Sequence, residues 1–298
     1  MKIISSVKKY MRRLLPKDLY VFLYTLQFRI KNKKDLSEKQ KKFAQFKRKG
    51  FYDFELDDKK FKIFLDPDNG GVDYEIFAEK NFEPGVLSII RDYLEKDKNS
   101  VFVDIGANIG QHSIFAAHFC SKVYAFEPIT KIYNQFKLSI EINNISNITP
   151  VNCALGDKKE KTDIYSNEIN MGASSIVIKD AGRQRLQTIE VETLDGLEEG
   201  LGIDRIDFVK IDVEGFEWSV LQGAKQIYEK YLPTTLIELT PLFYNKIDSS
   251  ITQHIYDFFV NLQYEIYDVG NNGEKYIRVK SFDQVKDIDQ TNLLCLRS

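Results

Sequence analysis

The sequence is poor in the residues that build metal clusters and covalent cross-links. It contains three cysteines and three histidines among 298 residues. No two cysteines form a Cys-x-x-Cys motif, so a disulfide framework or a cysteine zinc site is not expected, and a reducing compartment fits. The histidines, His112, His118 and His254, are too scattered to predict a histidine metal site.

Long apolar runs are also missing. The most apolar stretch of the N-terminal region, residues 19–28, has ten residues, about half of the ~20 that a membrane-spanning helix needs. No small-residue cleavage site follows it, so we expect neither a signal peptide nor a spanning helix. Hydrophobic residues make up 43% and charged residues 29%, which is the composition of a soluble globular protein.

Charge is unevenly distributed along the chain. Residues 1–50 hold sixteen Lys and Arg but three Asp and Glu, so this arm carries +13 and the remainder −15. A basic arm on an acidic body favours an anionic partner, either lipid headgroups or nucleic acid. Aromatic residues within the arm, such as Tyr20 and Phe22, are typical of an amphipathic helix at a membrane interface. The alternative is a helical extension that is solvated or packs on the body.

The body of the sequence alternates between predicted strands and helices. Strands are predicted at 101–105, 122–127, 149–154, 206–213, 235–239, 264–269 and 292–296, and helices at 110–119, 129–143, 216–231 and 252–262. This alternation predicts an α/β fold with a doubly wound, mostly parallel sheet, which binds ligands beyond the carboxyl ends of its strands. We expect residues 162–185 to form a loop with a short hairpin.

Three regions follow from these patterns. Residues 1–50 are predicted to be a basic, helical N-terminal extension. Residues 51–95 form an N-terminal cap region with a strand pair and a helix. Residues 96–298 form the main domain.

The first strand of the main domain ends in the strongest chemical signal. Asp104 and a loop with Gly106 and Gly110 lead into a helix, an arrangement that lets backbone N–H groups approach a ligand. Glu127 ends the next strand, where an acid in this topology binds both hydroxyls of a ribose. The loop has Asn108 where a dinucleotide fold needs its second glycine. S-adenosylmethionine, whose ammonium suits Asp104, therefore fits better than NAD.

These motifs resemble those of the FkbM family of S-adenosylmethionine-dependent methyltransferases. The resemblance is carried by residues 103–110 (VDIGANIG), 126–128 (FEP) and 210–217 (KIDVEGFE), and it covers about residues 60–298. It implies a class I methyltransferase, Rossmann-like sheet with one antiparallel edge strand. It also implies methyl transfer to hydroxyl oxygens of sugars, glycolipids or polyketide-type products.

The resemblance assigns roles to residues as well. The methionine part of the cofactor is assigned to Asp104, Gly106, Asn108 and Gly110. Glu127 would bind the ribose. Gly156 and Asp157 would lie near the adenine, although this pair is also an ordinary turn sequence.

Carboxylates are predicted on the acceptor side of the site. Asp212 and Glu214 come at the end of the fourth strand, and Glu238 ends the fifth. An alcohol loses its proton when it is methylated, and a carboxylate can accept that proton. Asp212 is our first candidate for this base, followed by Glu214 and Glu238. Capping of the next helix by Asp212 or Glu214 is the alternative role. Three such acids can also bind Mg²⁺, but no pattern here demands a metal.

The sequence thus predicts a cytoplasmic S-adenosylmethionine-dependent O-methyltransferase. Its acceptor would be a small molecule, a sugar or a glycolipid of surface polysaccharide synthesis, and the basic arm would hold it at the inner face of the membrane. An RNA or protein methyltransferase that binds through the arm is one alternative, although the acidic body disfavours nucleic acid. A non-catalytic scaffold with the same fold is the other.

Overall fold

The structure is a computed structural model that describes residues 45–80, 82–167, 170–176, 184–241, 244 and 248–297. For residues 167 and 170–173 the description covers the backbone. Most of the predicted basic extension, residues 1–44, lies outside the described part of the chain. The body forms one compact unit, Arg48–Ser298.

The strands and helices predicted for the main domain occur in the predicted order, with further strands and helices between them. The strands are β1 (Gly50–Leu56), β2 (Lys59–Leu65), β3 (Val101–Ile105), β4 (Lys122–Phe126), β5 (Ile148–Val151), β6 (Ala154–Leu155), β7 (Glu160–Asn167), β8 (Asn170–Ser175), β9 (Gln184–Glu192), β10 (Phe208–Ile211), β11 (Thr234–Leu239), β12 (Tyr264–Gly270), β13 (Ile277–Val279) and β14 (Thr291–Arg297). The helices are α1 (Gly71–Glu79), α2 (Pro84–Leu94), α3 (Gln111–Ala116), α4 (Thr130–Ile142), α5 (Leu194–Leu201), α6 (Glu217–Gln222), α7 (Lys225–Tyr231) and α8 (Ile251–Asn261).

The main sheet has eight strands in the order β13-β12-β14-β11-β10-β3-β4-β5. Strands β5, β4, β3, β10 and β11 are parallel, which confirms the doubly wound, mostly parallel sheet. The antiparallel strands differ from the single edge strand that we expected. Strand β14 lies inside the sheet, antiparallel to both β11 and β12, and β13 is a second antiparallel strand at the edge. The reason is burial, because β14 is largely apolar and buried whereas β13 is mostly exposed.

The register of the central strands sets their carboxyl ends level. Ile211 of β10 pairs with Ile105 of β3 on one side and with Ile237 of β11 on the other. All three side chains are buried, and each contributes about 1.5–3 kcal/mol of hydrophobic stabilisation. A slip of one residue would turn these side chains to the opposite face, so the apolar pattern fixes where the loops after these strands begin.

The strand predicted at 149–154 is divided between two sheets. Strand β5 leaves the main sheet before Asn152, whose side-chain amide donates to the carbonyl oxygens of Glu127 (2.8 Å) and Pro128 (3.1 Å). The following β6 pairs in parallel with β9 in a second sheet of order β6-β9-β7-β8. This sheet replaces most of the loop predicted over 162–185, because its half-exposed strands are too polar to show as apolar runs.

Two helical regions also differ from the sequence pattern. The helix predicted over 216–231 is two helices, because Gly223 and Ala224 between them do not have helical backbone angles. A Cβ at Gly223 would lie 1.8 Å from the carbonyl oxygen of Gly156, so this position needs glycine. The cap region contains the predicted strand pair but two helices, α1 and α2, instead of one. Helix α1 packs beside β8 of the second sheet. The cap region therefore lies beside the candidate site, which α1 helps to line.

Candidate active site

A cleft of about 230 Å³ lies at the carboxyl ends of the central strands. Its walls come from the loops after β3, β4 and β10, from the end of β11 and from the second sheet, together with α1 and the segment before α2. The structure brings most of the predicted site residues to its lining: Gly106, Asn108, Glu127, Asp212, Glu214 and Glu238. The strand-end argument therefore located the cleft. The four predicted residues outside its lining, Asp104, Gly110, Gly156 and Asp157, are explained by packing.

The loop after β3 is shaped by its glycines. Gly106 has φ +86°, and a Cβ there would lie 1.9 Å from the carbonyl oxygen of Asp212. Gly110 has φ +85°, and its Cβ would meet the ring of Phe136 at 1.9 Å. Asn108 also has a positive φ of 52°, which asparagine tolerates better than most residues. Both glycines thus allow close packing, and Gly110 does so behind the cleft wall.

Glu127 has the double role of holding this loop and facing the cleft. Its Oε2 accepts the N–H of Asn108 at 3.0 Å and its Oε1 accepts the N–H of Ile129 at 2.8 Å. Burial is the main cause that raises the pKa of Glu127 to about 7. A carboxylate has about four acceptor sites, so capacity for hydroxyl donors remains beside these two bonds.

Asp104 lies behind the cleft wall and has no exposed surface. Its Oδ2 accepts the hydroxyl of Ser113 at 2.6 Å, and its Oδ1 lies 3.9 Å from Nζ of Lys210. Burial raises the pKa of Asp104. Lys210 in turn donates to Oδ2 of Asp212 at 3.0 Å. Burial opposes the charge of Lys210, but the carboxylates of Asp212 and Asp104 lead the groups that raise its pKa.

The turn after β10 is held by Glu217, which sequence reasoning did not single out. Its Oε1 accepts the N–H groups of Val213 (3.2 Å) and Gly215 (3.1 Å), and its Oε2 accepts the hydroxyl of Tyr244 (2.7 Å). Glu217 is fully buried, and burial raises its pKa. No described side chain caps the first N–H groups of α6, so the capping role that we considered for Asp212 or Glu214 is not seen, and Glu217 instead holds the turn before the helix.

Asp212 and Glu214 line the cleft instead. Glu214 has φ +53°, a strained conformation for a residue with a side chain. Its carbonyl oxygen accepts the hydroxyl of Ser175 at 2.7 Å, which ties this turn to the second sheet. The segment thus presents two carboxylates to the cleft from a turn that is held at both ends.

Glu238 is the last residue but one of β11 and is buried against the cleft. Gln290 donates a hydrogen bond to its Oε1. Its Oε2 is buried and has no hydrogen-bond partner among the described residues. Burial and the nearby carboxylates of Asp212 and Glu214 raise the pKa of Glu238 well above its ordinary value. This shift favours the protonated form of the side chain, in which it can donate as well as accept.

Gly156 and Asp157 are not brought to the cleft. Asp157 donates its backbone N–H to Oγ of Ser219 (3.1 Å), and that hydroxyl donates to Oδ1 of Asp157 (2.7 Å). The cleft is lined on this side by residues 153–155. The adenine role assigned to Gly156 and Asp157 is therefore not supported by their position, which is that of a turn packed on α6.

The wall formed by the cap region was missed by the sequence reasoning. Glu75 of α1 and Glu83 before α2 both line the cleft. Neither follows a predicted parallel strand, so no spacing or strand-end signal pointed to them. Among the described residues, no group of three or more His, Cys, Asp and Glu side chains is arranged to hold a metal ion. Within the same residues, no helix has the length and apolar character needed to cross a membrane.

Comparison with protein families gives a match over most of the main domain. The model of the methyltransferase FkbM domain matches residues 104–266, more than half of the chain. The chain belongs to the FkbM methyltransferase family. The match begins at Asp104, at the end of β3, and ends within β12, so it contains the loops after β3, β4, β10 and β11 but not the cap region.

Two curated relatives are named as methyltransferases. Methyltransferase 1 of Beauveria bassiana (strain ARSEF 2860) is 25% identical over 161 residues, which are 47% of this chain and 65% of the relative. Methyltransferase sdnD of Sordaria araneosa is 24% identical over 178 residues, 49% of this chain and 69% of the relative. The chain thus spans about two thirds of the length of the curated relatives that it matches.

A solved structure, methyltransferase FkbM from Methylobacillus flagellatus KT, is similar to the chain with a TM-score of 0.44 and 18% identity. The match covers 67% of this chain and 44% of that one. The cofactor of this FkbM domain is S-adenosylmethionine. The cleft fits it, because Gly106 and Asn108 of the loop after β3 line the cleft and Glu127 beside them retains acceptor capacity for a ribose.

Proposed function

We propose that this FkbM protein methylates a hydroxyl group of a sugar or glycolipid, in surface polysaccharide synthesis. The cofactor would supply the methyl group from its sulfonium. The observation that carries the proposal is the set of carboxylates on the acceptor side of the cleft, contributed by Asp212, Glu214 and Glu238. Hydroxyl groups donate hydrogen bonds to carboxylates, so this wall suits an acceptor that is rich in hydroxyls.

The charge of the cleft supports an acceptor without phosphate or carboxylate groups near the reacting oxygen. Lys210 is the only Lys or Arg in the described lining, and its ammonium is already paired with Asp212 and Asp104. His112 is neutral, because burial lowers its pKa well below the ordinary value. No described cation in the lining is thus available to an anionic group, which would instead meet several carboxylates.

Asp212 is the base that we propose for the acceptor hydroxyl. Its side chain is partly exposed in the cleft, and Lys210 fixes its Oδ2 at 3.0 Å. Its other oxygen, Oδ1, is the atom that would receive the proton. Glu214 is the second candidate. Glu238 comes third because burial and the neighbouring carboxylates raise its pKa well above the ordinary value, which suits it better to orient the hydroxyl than to accept the proton.

We also propose that residues 1–50 bind the protein to the anionic inner face of the cytoplasmic membrane. The support is the sequence alone, with sixteen Lys and Arg against three acids and interspersed aromatic residues. A lipid-linked or membrane-proximal glycan would then be within reach. Nucleic acid is the less favoured partner because the cleft itself is acidic.

The test combines a binding measurement with an acceptor screen. Titration calorimetry of the full chain with S-adenosylmethionine, with NAD as control, should show binding of the first alone. Formation of S-adenosylhomocysteine is then followed with neutral glycosides, their phosphorylated counterparts, a lipid-linked oligosaccharide and RNA. We expect turnover with neutral hydroxyl acceptors. Turnover with RNA alone would support the nucleic-acid alternative, and failure to bind either cofactor would support a non-catalytic scaffold.

A further inference from the structure

The acid that the sequence assigns to the cofactor's ammonium is not accessible to it. Asp104 is completely buried, its Oδ2 is bonded to Ser113, and it lies outside the lining of the cleft. Its Oδ1 faces Lys210 at 3.9 Å, so a second ammonium group there would meet the lysine charge. Asp104 therefore anchors Lys210 and α3 from behind, and the amino-acid end of the cofactor needs a different acceptor.

Unlike Asp104, Glu83 lines the cleft. It is the residue before α2 and has φ +53°. Two contacts place it beside the start of α3, the helix that follows the glycine loop. The side-chain amide of Gln111 donates to the carbonyl oxygen of Phe82 at 3.2 Å. Nε2 of His112 lies 3.4 Å from Oε2 of Glu83.

The groups around Glu83 come from every neighbouring element. They are Glu75 of α1, His112 of α3, Lys210 of β10 and Asp212 directly after β10. Lys210 is occupied by its two aspartates. Nε2 of His112 is buried and has no hydrogen-bond partner among the described residues. Burial, followed by the charge of Asp212, raises the pKa of Glu83 to about 8. An incoming cation would favour the ionised form of this carboxyl.

We infer that Glu83 is the carboxylate that binds the ammonium group at the amino-acid end of the cofactor. The inference rests on the proposed function, since it requires that S-adenosylmethionine binds in this cleft. It extends the cofactor site beyond the family-matched segment, residues 104–266, into the cap region. The cap region is then part of the cofactor site, and α2 begins at the ligand.

The test compares two ligands that differ in the amino-acid end. S-adenosylhomocysteine carries the ammonium and carboxylate, and 5′-methylthioadenosine lacks both but keeps the ribose and adenine. Both are titrated calorimetrically into the full chain, into Glu83→Gln and into Glu95→Gln. Glutamine has the shape of the protonated glutamic acid that burial favours at this position, so the fold should be retained. Glu95 is exposed at the other end of α2 and provides the same change of charge away from the cleft.

We expect Glu83→Gln to weaken S-adenosylhomocysteine binding roughly tenfold or more, because a charged hydrogen bond is lost. Binding of 5′-methylthioadenosine should change by less than about twofold, and Glu95→Gln should change neither. At pH 7 the wild-type chain should also release more protons on binding S-adenosylhomocysteine than on binding 5′-methylthioadenosine, and Glu83→Gln should abolish this difference.

If Glu83→Gln lost affinity equally for both ligands, Glu83 would only support the fold. Unchanged affinity of this variant for S-adenosylhomocysteine would overturn the inference. If the wild-type chain binds neither S-adenosylmethionine nor S-adenosylhomocysteine, the proposed function itself fails.

Discussion

Glu127 shows how one side chain can hold a loop and face a ligand at the same time. It accepts two backbone N–H groups and lines the cleft, and burial raises its pKa to about 7. The carboxyl therefore gains a proton as the pH falls below about 7 and loses capacity to accept hydroxyl donors. We expect calorimetry to show weaker binding of 5′-methylthioadenosine at pH 6 than at pH 8. This ligand reports on the ribose without involving Glu83.

Glu127→Gln should weaken this binding at pH 8 by about 1–3 kcal/mol, the scale of a hydrogen bond to a charged group, and should flatten the pH dependence. Asp157→Asn is the matched control, since Asp157 bonds Ser219 and lies outside the cleft lining. We expect the affinity of Asp157→Asn for 5′-methylthioadenosine to stay within about twofold of the wild-type value. Equal affinity of the wild type at pH 6 and pH 8 would argue against Glu127 as the ribose acceptor.

Substitution of Asp212 should lower turnover without weakening binding of the cofactor product. We expect Asp212→Asn to lower turnover with an accepted glycoside by about 10²–10⁴-fold, the usual contribution of a general base. Affinity for S-adenosylhomocysteine should change little, because that ligand has no acceptor proton to lose. Asp204, which is exposed, supplies the control Asp204→Asn with the same charge change. Retained turnover in Asp212→Asn would move the role to Glu214 and call for the same test there.

The sequence could identify which carboxylates end the strands but not which of them face the cleft. Asp104 and Asp212 both lie at or just after the end of a central strand, yet one is fully buried and the other is partly exposed beside Lys210. Glu83 follows no parallel strand, so its approach to the cleft depends on how the cap region packs. Burial and packing decide these roles, and neither is encoded in spacing along the chain.

At the scale of the elements, the turn from β3 to α3 is the part least tolerant of change. An alanine at Gly106 would need an unfavourable positive φ, and its Cβ would overlap the carbonyl oxygen of Asp212. We expect Gly106→Ala to lower the free energy of unfolding by about 2–4 kcal/mol and to abolish S-adenosylhomocysteine binding. Urea denaturation followed by circular dichroism measures the first effect, and calorimetry measures the second.

Gly200 allows the same glycine-to-alanine substitution at a position where an added Cβ meets no other atoms. It lies in α5 with no atoms within 4 Å of an added Cβ. Gly200→Ala should therefore raise stability by about 0.5–1 kcal/mol, because alanine favours the helix. If the two variants were equally stable, the tight approach of the β3 loop to Asp212 would not be what makes glycine necessary there.

Elements with a strong apolar pattern were predictable, and the others were not. Strands β3, β10 and β11 are buried on both faces, so each is mostly apolar, the signature of a central parallel strand. Their charged residues, Asp104, Lys210 and Glu238, lie near the carboxyl ends, beside the cleft. Strand β9 has mostly exposed and partly exposed residues, and its pairing with β7 depends on partners distant in sequence. The break between α6 and α7 lies at Gly223, which packs closely against Gly156, and helical periodicity does not reveal it.

At the scale of the whole molecule, the separation of charge is the dominant feature. The N-terminal 50 residues carry +13 and the rest of the chain −15. An anionic surface would attract the arm and repel the body, so binding through the arm would orient the protein. The attraction should weaken with salt, because the Debye length falls from about 10 Å at 0.1 M to about 3 Å at 1 M.

Deletion of residues 2–44 should therefore abolish cosedimentation with phosphatidylglycerol vesicles at 0.1 M salt. The wild-type chain should bind these vesicles at 0.1 M salt and dissociate from them at 1 M salt. It should not bind phosphatidylcholine vesicles. Calorimetry with S-adenosylhomocysteine on the shortened chain checks that the body still folds, since every element from β1 onward is retained.

The control replaces three exposed lysines of the body, Lys158, Lys159 and Lys161, with glutamine. This triple variant changes the charge of the acidic body without touching the arm. It should sediment with phosphatidylglycerol vesicles like the wild type. A second triple variant, Lys31→Gln with Lys33→Gln and Lys34→Gln, removes three charges from the arm. It should weaken binding by about 3 kcal/mol if each lysine contributes about 1 kcal/mol near the surface. Equal binding of the wild-type and shortened chains would mean that the arm is not a membrane contact, and the sixteen cations of residues 1–50 would then be better explained as solvated surface.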